Sequence, residues 1–239
     1  MKKIYIVNVG HAHQEQIDRW GDFEAWASKA LTEQGIEDST IELIDGVASP
    51  LPKPELCTGI IIMGSLSMVT EKTEWMLRLS QQIVSYTEQH IPMLGICFGH
   101  QLIAQALGGN VGFHPQGLEA GTTRISVLPE ANNDPLFCAM PTSFPAHVVH
   151  FQSVISLPEG AQLLAKNDFE PHHAFRYGTS TWGVQFHPEF TEEIMLSSLE
   201  HLKGELSDNY QQKLAEIEET RFAKQCLFNF ANYALEKSR

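Results

Sequence analysis

The chain is 239 residues long, 43% hydrophobic and 19% charged, and its 16 Lys+Arg against 29 Asp+Glu give a formal charge of −13. That composition buries a sizeable core and excludes global disorder, while its acidity argues against a nucleic-acid partner, which needs a basic stripe. No apolar run reaches the roughly 18 residues of a membrane helix, so no membrane role is expected.

The N-terminus (MKKIYIVNVGHAHQEQ) is basic and then apolar, but the apolar part is too short for a signal peptide and reads as a strand over residues 4–9. Residues 14–34 carry Ile17, Trp20, Phe23, Ala27 and Leu31 at steps of three and four, an amphipathic helix that stops at Gly35. A second strand is expected at 40–44, and after a Pro-rich turn the run GIIIM at 59–63 has the continuous apolarity of a strand buried on both faces. Met76, Leu79, Ile83 and Tyr86 put a helix at 73–89. A buried strand follows at 92–96, then a helix at 98–107 stopped by Gly108 and Gly109.

From residue 111 the pattern changes to short strands, at 124–128, 147–151, 154–157, 163–166, 174–177 and 181–186, with turn residues between them. Helices resume at 191–206, and a last one runs from about 208 to 236, acidic at first and Phe-rich later. The expected fold is α/β, a mostly parallel central sheet flanked by helices, with added antiparallel strands and a C-terminal helical extension. We take residues 1–206 as the main domain and 207–239 as an extension packed on it. Trp20, Trp26 and Trp75 fall on helix faces and read as core.

Cys57, Cys97, Cys138 and Cys226 are far apart, with no CxxC pair, so a reducing, cytoplasmic setting and free thiols are expected. Cys97 stands out. In MLGICFGHQL it falls between a buried strand and a helix, flanked two positions away by Gly95 and Gly99, which is a nucleophile elbow with cysteine in place of serine. The helix N-terminus favours a thiolate there, and the Phe98 N–H is placed to serve half an oxyanion hole. The partner base is His187 in GVQFHPEF, with Glu189 spaced to orient and charge-stabilise the imidazole and Pro188 stiffening the link. His11 and His13, and His172 and His173, form two further pairs; no spacing ties them into a metal site, and His11 and His13 are expected at the rim of the catalytic edge.

GICFGHQ together with QFHPE resembles the class I (triad-type) glutamine amidotransferases, most closely the glutaminase domain of GMP synthase and its stand-alone relatives. HQLIAQALGG at 100–109 and GLEAG at 117–121 add to the likeness, which spans roughly residues 40–190. The resemblance implies a flavodoxin-like fold and a γ-glutamyl thioester on Cys97, formed as ammonia leaves glutamine, with His187 as acid and base and Glu189 orienting it. It makes the Gly64 N–H the second oxyanion donor, and Gln101, Ser65, Val149 and His150 the substrate-binding positions. It implies neither metal nor organic cofactor.

The chain departs from the family in places. MGSLS at 63–67 stands where the family has Gly-Gly-Pro-x-Ser, and VHFQ at 149–152 where it has Ser-His-Gly-Asp. The substrate is therefore glutamine or, alternatively, a small γ-glutamyl peptide; a non-catalytic binding protein on the same fold is the third reading. No P-loop or pyrophosphatase loop follows the glutaminase region, so released ammonia would go to a separate synthetase.

Overall fold

The computed structural model, which describes residues 2–238, opens with strand β1 (Lys3–Asn8). Its side chains alternate: Ile4 and Ile6 enter one core, Tyr5 and Val7 the other, and all four are buried. Helices α1 (Gln14–Trp20) and α2 (Phe23–Thr32) follow, then β2 (Ile41–Asp45) and β3 (Cys57–Ile62). Next come α3 (Glu74–Glu88), β4 (Met93–Ile96) and α4 (Phe98–Ala106). The strand-rich part comprises β5 (Asn110–Phe113), β6 (Glu119–Val127), β7 (Ser143–His150), β8 (Gln152–Ser156), β9 (Gln162–Lys166), β10 (Ala174–Tyr177) and β11 (Thr181–Val184). The chain ends in α5 (Glu192–His201), α6 (Lys203–Leu206), α7 (Tyr210–Ala215) and α8 (Arg221–Lys237).

Nine strands form one sheet in the order β2-β1-β3-β4-β11-β10-β9-β6-β7. The first five pair in parallel and the remainder antiparallel, which is the expected α/β architecture with antiparallel additions. Its parallel half has the flavodoxin-like 2-1-3-4-5 order, with β11 in the fifth place. β5 and β8 pair apart from it in a two-stranded sheet. Helices α3 and α4 cover one face of the parallel strands; α2 and α8 cover the other, where Phe230 and Ala234 lie against Gly59 of β3.

Several elements differ from what the sequence pattern predicts. The helix expected over 14–34 is two helices, broken at Gly21 (φ +82°), because the Asp22 carboxylate caps the second by accepting from the N–H groups of Ala12 and Phe23 at 2.9 Å. The apolar spacing runs on through the break and so conceals it. The last helix is likewise divided: the segment at 216–219, with its three glutamates exposed and Ile217 half-buried, separates α7 from α8. Strand β5 has no counterpart among the expected elements. Of the three tryptophans assigned to the core, Trp26 is buried, and Trp20 and Trp75 are half-buried. Among the described residues, no helix is long and apolar enough to cross a membrane.

The junction of β3, β4 and α4 leaves no room for side chains. A Cβ on Gly99 would lie 2.2 Å from the Ile62 carbonyl oxygen, and one on Gly95 would lie 2.3 Å from that of Gly99. Gly99→Ala is therefore expected to cost at least about 2–3 kcal/mol by forcing backbone apart. Gly204→Ala, in open space on α6, should cost nothing. Urea-unfolding midpoints of the two variants against the parent check both.

Candidate active site

The loops after β1, β3, β4 and β11 converge at the carboxyl edge of the parallel strands, where α/β sheets hold their ligands. Cys97, between β4 and α4, adopts φ 50° and ψ −99°, a conformation an L-residue holds only under constraint. The constraint is the glycine junction together with two backbone bonds, Cys97 N–H to Val184 O at 2.9 Å and Gln101 N–H to Cys97 O at 3.1 Å. Cys97 as a whole is 6% exposed, and its thiol donates to the Val149 carbonyl at 3.5 Å. Phe98, as the first residue of α4, has an N–H with no acceptor inside the helix.

His187, three residues past β11, lines the same cavity as Cys97. Its Nδ1–H donates to Glu189 Oε1 at 2.8 Å, which leaves Nε2 for the sulfur. Burial opposes the charged imidazole, but the Glu189 carboxylate and the neighbouring Cys97 sulfur outweigh it and raise His187 to about 10. Phe190 stacks on the other side of the ring at 4.0 Å. Nearby His147 is pulled down to about 4 by burial and then by the charge on His187, so only one of these two histidines is charged at neutral pH. Gly64 completes the cluster: a Cβ there would come 3.0 Å from His187 Cε1 and 3.8 Å from Cys97 Cβ.

The remaining expected site residues also line the cavity, and most of their polar atoms are committed to the protein. Ser65 Oγ donates to Val9 O at 2.9 Å and accepts from Ser67 N–H. His150 places Nδ1 3.0 Å from Gln152 O and Nε2 2.8 Å from Glu119 Oε2. Gln101 donates to Gln152 O at 2.7 Å and to Gln185 Oε1 at 2.9 Å, so its amide oxygen is the end left to accept. Glu119, from the GLEAG segment, is buried among His150, His173 and Asn167. Burial alone would raise its carboxyl, but the two histidines hold it well below the usual carboxylate range.

Three contributors carry no signal of their role in the sequence. Gln152, which the sequence marks only as a departure from the family, lines the cavity with a buried Oε1 that has no protein partner. Phe23 and Leu202 form part of the wall and belong to no motif. The histidine pairs go to separate partners: His11 to Asp22 at 2.7 Å, His13 to a ring stack on His201, His172 to Val154 O, and His173 to Glu119. Only His13 of these four lines the cavity. Among the described residues, no group of three or more His, Cys, Asp or Glu is placed to hold a metal ion, and all four cysteines are free thiols.

Residues 22–199 match the family described as Glutamine amidotransferase class-I. The chain belongs to that family. It is 29% identical over 184 residues to gamma-glutamyl peptidase 5 of Arabidopsis thaliana, covering 76% of this chain and 73% of that one. It is 30% identical over 175 residues to the glutamine-hydrolyzing GMP synthase subunit of Archaeoglobus fulgidus, covering 72% of this chain and 86% of that one. A solved glutamine amidotransferase from Thermotoga maritima shares the fold, with a TM-score of 0.75 and 21% identity over 99% of this chain and 100% of that one.

The charge on His187 depends on Glu189, and this gives a pH test. With a folded value raised to about 10, the imidazolium persists through neutral pH and is lost as pH rises through that value. Glu189→Gln keeps an acceptor for Nδ1–H but removes the charge, leaving burial to dominate. The alkaline limb of Cys97 acylation should then move towards lower pH, and the rate at neutral pH should fall roughly 10²-fold or more. Acylation rates measured from pH 6 to 11 with a γ-electrophilic glutamine analogue check this.

Proposed function

We propose that this amidotransferase-family chain is a thiol hydrolase that opens the γ-carbonyl of glutamine or of a γ-glutamyl amide. The observation that carries the proposal is one cavity lined by a cysteine at a strained strand–helix turn and by an imidazole held charged, with a buried carboxylate behind the ring 2.8 Å from its Nδ1.

The Cys97 thiolate attacks the γ-carbon, and the oxyanion is received by the N–H groups of Phe98 and Gly64. As the C–N bond breaks, His187 delivers its proton to the leaving nitrogen, giving a free amine or ammonia and a γ-glutamyl thioester. His187, now neutral, takes a proton from water as that water attacks the thioester; the C–S bond breaks, releasing glutamate and restoring the thiolate beside the charged imidazole. Glu189 orients the ring throughout. The amide oxygens of Gln101 and Gln152 are the acceptors for the substrate's α-ammonium group. Neither a metal nor an organic cofactor has a step in this sequence.

Two substrates compete under this reading. Glutamine would put the chain beside the glutamine-hydrolysing relatives and require a separate synthetase to take the ammonia. The second reading, a γ-glutamyl peptidase, is favoured by the internal commitments of Ser65 and His150 and by the likeness to the Arabidopsis peptidase.

Cys97→Ala should abolish glutamate release from any γ-glutamyl substrate while leaving the unfolding midpoint within about 1 kcal/mol of the parent, because one buried heteroatom is lost. In the parent, the γ-electrophilic analogue should add one equivalent, on the peptide containing Cys97. Turnover retained in Cys97→Ala overturns the proposal. An unreactive Cys97 selects the binding-protein reading instead.

A further inference from the structure

The catalytic cavity is lined by side chains of unlike chemistry, and the reaction says which part of the substrate meets the side beside His187. His187 must reach the leaving nitrogen to protonate it, so the leaving group lies on the His187 side of the sulfur. That side is formed by Phe190, stacked on the imidazole, with Phe23 and Leu202, and it is closed by His13, Gln16 and Ser198. The closure is built in: Gln16 Nε2 donates to Ser198 Oγ at 3.0 Å, and the His13 and His201 rings stack at 3.8 Å, tying α1 to α5. Behind it, Trp26 packs edge-on against both Phe23 and Phe190. The rest of the lining carries the polar Gln101, Gln152 and His150 beside Leu66, Met68, Val149 and Phe151. Among the described residues, no Lys, Arg, Asp or Glu lines the cavity.

Ammonia has no apolar surface to set against Phe23, Phe190 and Leu202. A peptide leaving group has a carboxylate that would be desolvated there with no Lys or Arg to pair it, which is costly. We propose that the leaving group is an apolar primary amine: the substrate is the γ-glutamyl amide of a neutral alkyl or aryl amine, cleaved to glutamate and that amine. This rests on the γ-glutamyl hydrolase reading above and names its substrate class. The balance is that of an amide hydrolysis. The γ-C–N bond breaks as the Cys97 C–S bond forms, the amine leaves with the His187 proton, and water then replaces sulfur on the γ-carbon.

The test is kcat/KM for glutamate release from L-glutamine, γ-glutamylglycine, γ-glutamylethylamide and γ-glutamyl-n-butylamide, with Cys97→Ala as blank. Each methylene buried in the wall is worth about 0.8 kcal/mol, or about fourfold in kcat/KM. The ethylamide should therefore exceed glutamine by about tenfold and the butylamide should exceed the ethylamide, with γ-glutamylglycine below both amides. Leu202→Glu, at the half-buried end of α5, should reduce the butylamide-to-glutamine ratio by tenfold or more, with its fold checked by the urea midpoint. Cys97-dependent turnover in which glutamine or γ-glutamylglycine equals or exceeds the butylamide overturns the leaving-group assignment and keeps the hydrolase reading. Labelling of Cys97 without turnover of the butylamide also overturns the assignment alone. No turnover of any substrate and an unlabelled Cys97 overturn both.

Discussion

The active edge depends on one steric constraint: the chain must turn at Cys97 with almost no volume between β4, α4 and β3. Gly95 and Gly99 supply that volume by having no side chains, and backbone meets backbone where Cβ atoms would otherwise stand. The positive φ of Cys97 follows, because only a sharp turn takes the chain from the end of a central strand into a helix packed this closely. The same turn starts α4 at Phe98, so the Cys97 thiol and the free first N–H of the helix come from consecutive residues. The strain at Cys97 is balanced by tight packing around it: Ile62, Leu94 and Ile96 are fully buried on the strands beside it.

Charge in this buried edge is handled by pairing. Glu189 stabilises the imidazolium of His187, and Glu119 takes contacts from His150, His173 and Asn167. A carboxylate this deep would otherwise be costly; Glu119 is matched by several donors and Glu189 by the charged ring of His187. The second cluster explains why His150 contributes little to the cavity besides shape: its ring nitrogens already hold Glu119 and the Gln152 carbonyl. It thereby fixes the β7–β8 turn, whose Val149 carbonyl lies against the thiol. Gln101 does similar work from α4, tying Gln152 to Gln185. Residues that look like substrate contacts in the sequence thus act first as braces for the loop that carries them.

The sequence reveals the elements whose local pattern and tertiary role agree. The runs at 4–9, 59–63 and 92–96 are apolar because both faces of the parallel half are covered, and they emerge as β1, β3 and β4 with bounds that differ by at most two residues. The elbow is legible for the same reason, since Gly-x-Cys-x-Gly between a strand and a helix has few steric solutions. Gly21 is not legible as a break, because Ile17, Trp20 and Phe23 keep helical spacing across it and only the Asp22 cap shows the interruption. Strand β5 is hidden because it pairs with β8 alone, leaving Phe113 64% exposed and no apolar run to read. Phe23, Phe190 and Leu202 read as ordinary core residues; no local pattern reports that helices distant in sequence lean over the cysteine.

Labour is divided accordingly within the fold. On the proposed reading, the nucleophile, the base and the Gly64 donor come from strand ends of the main sheet and the loops leaving them, the Phe98 donor and Gln101 from the start of α4, and Gln152 from β8 of the two-stranded sheet. The wall beside His187 comes from α1, α2, α5 and the Phe190 turn, held to each other by side chains: Gln16 on Ser198, His13 on His201, and Trp26 between Phe23 and Phe190. Side chains can be exchanged one at a time without disturbing a β-ladder, whereas the elbow cannot lose Gly95 or Gly99. On the proposed reading, the bond that is opened is therefore set by the rigid part of the molecule and the group expelled by the adjustable part. A change of leaving group then needs only new residues on those helices, with Cys97, His187 and Glu189 untouched.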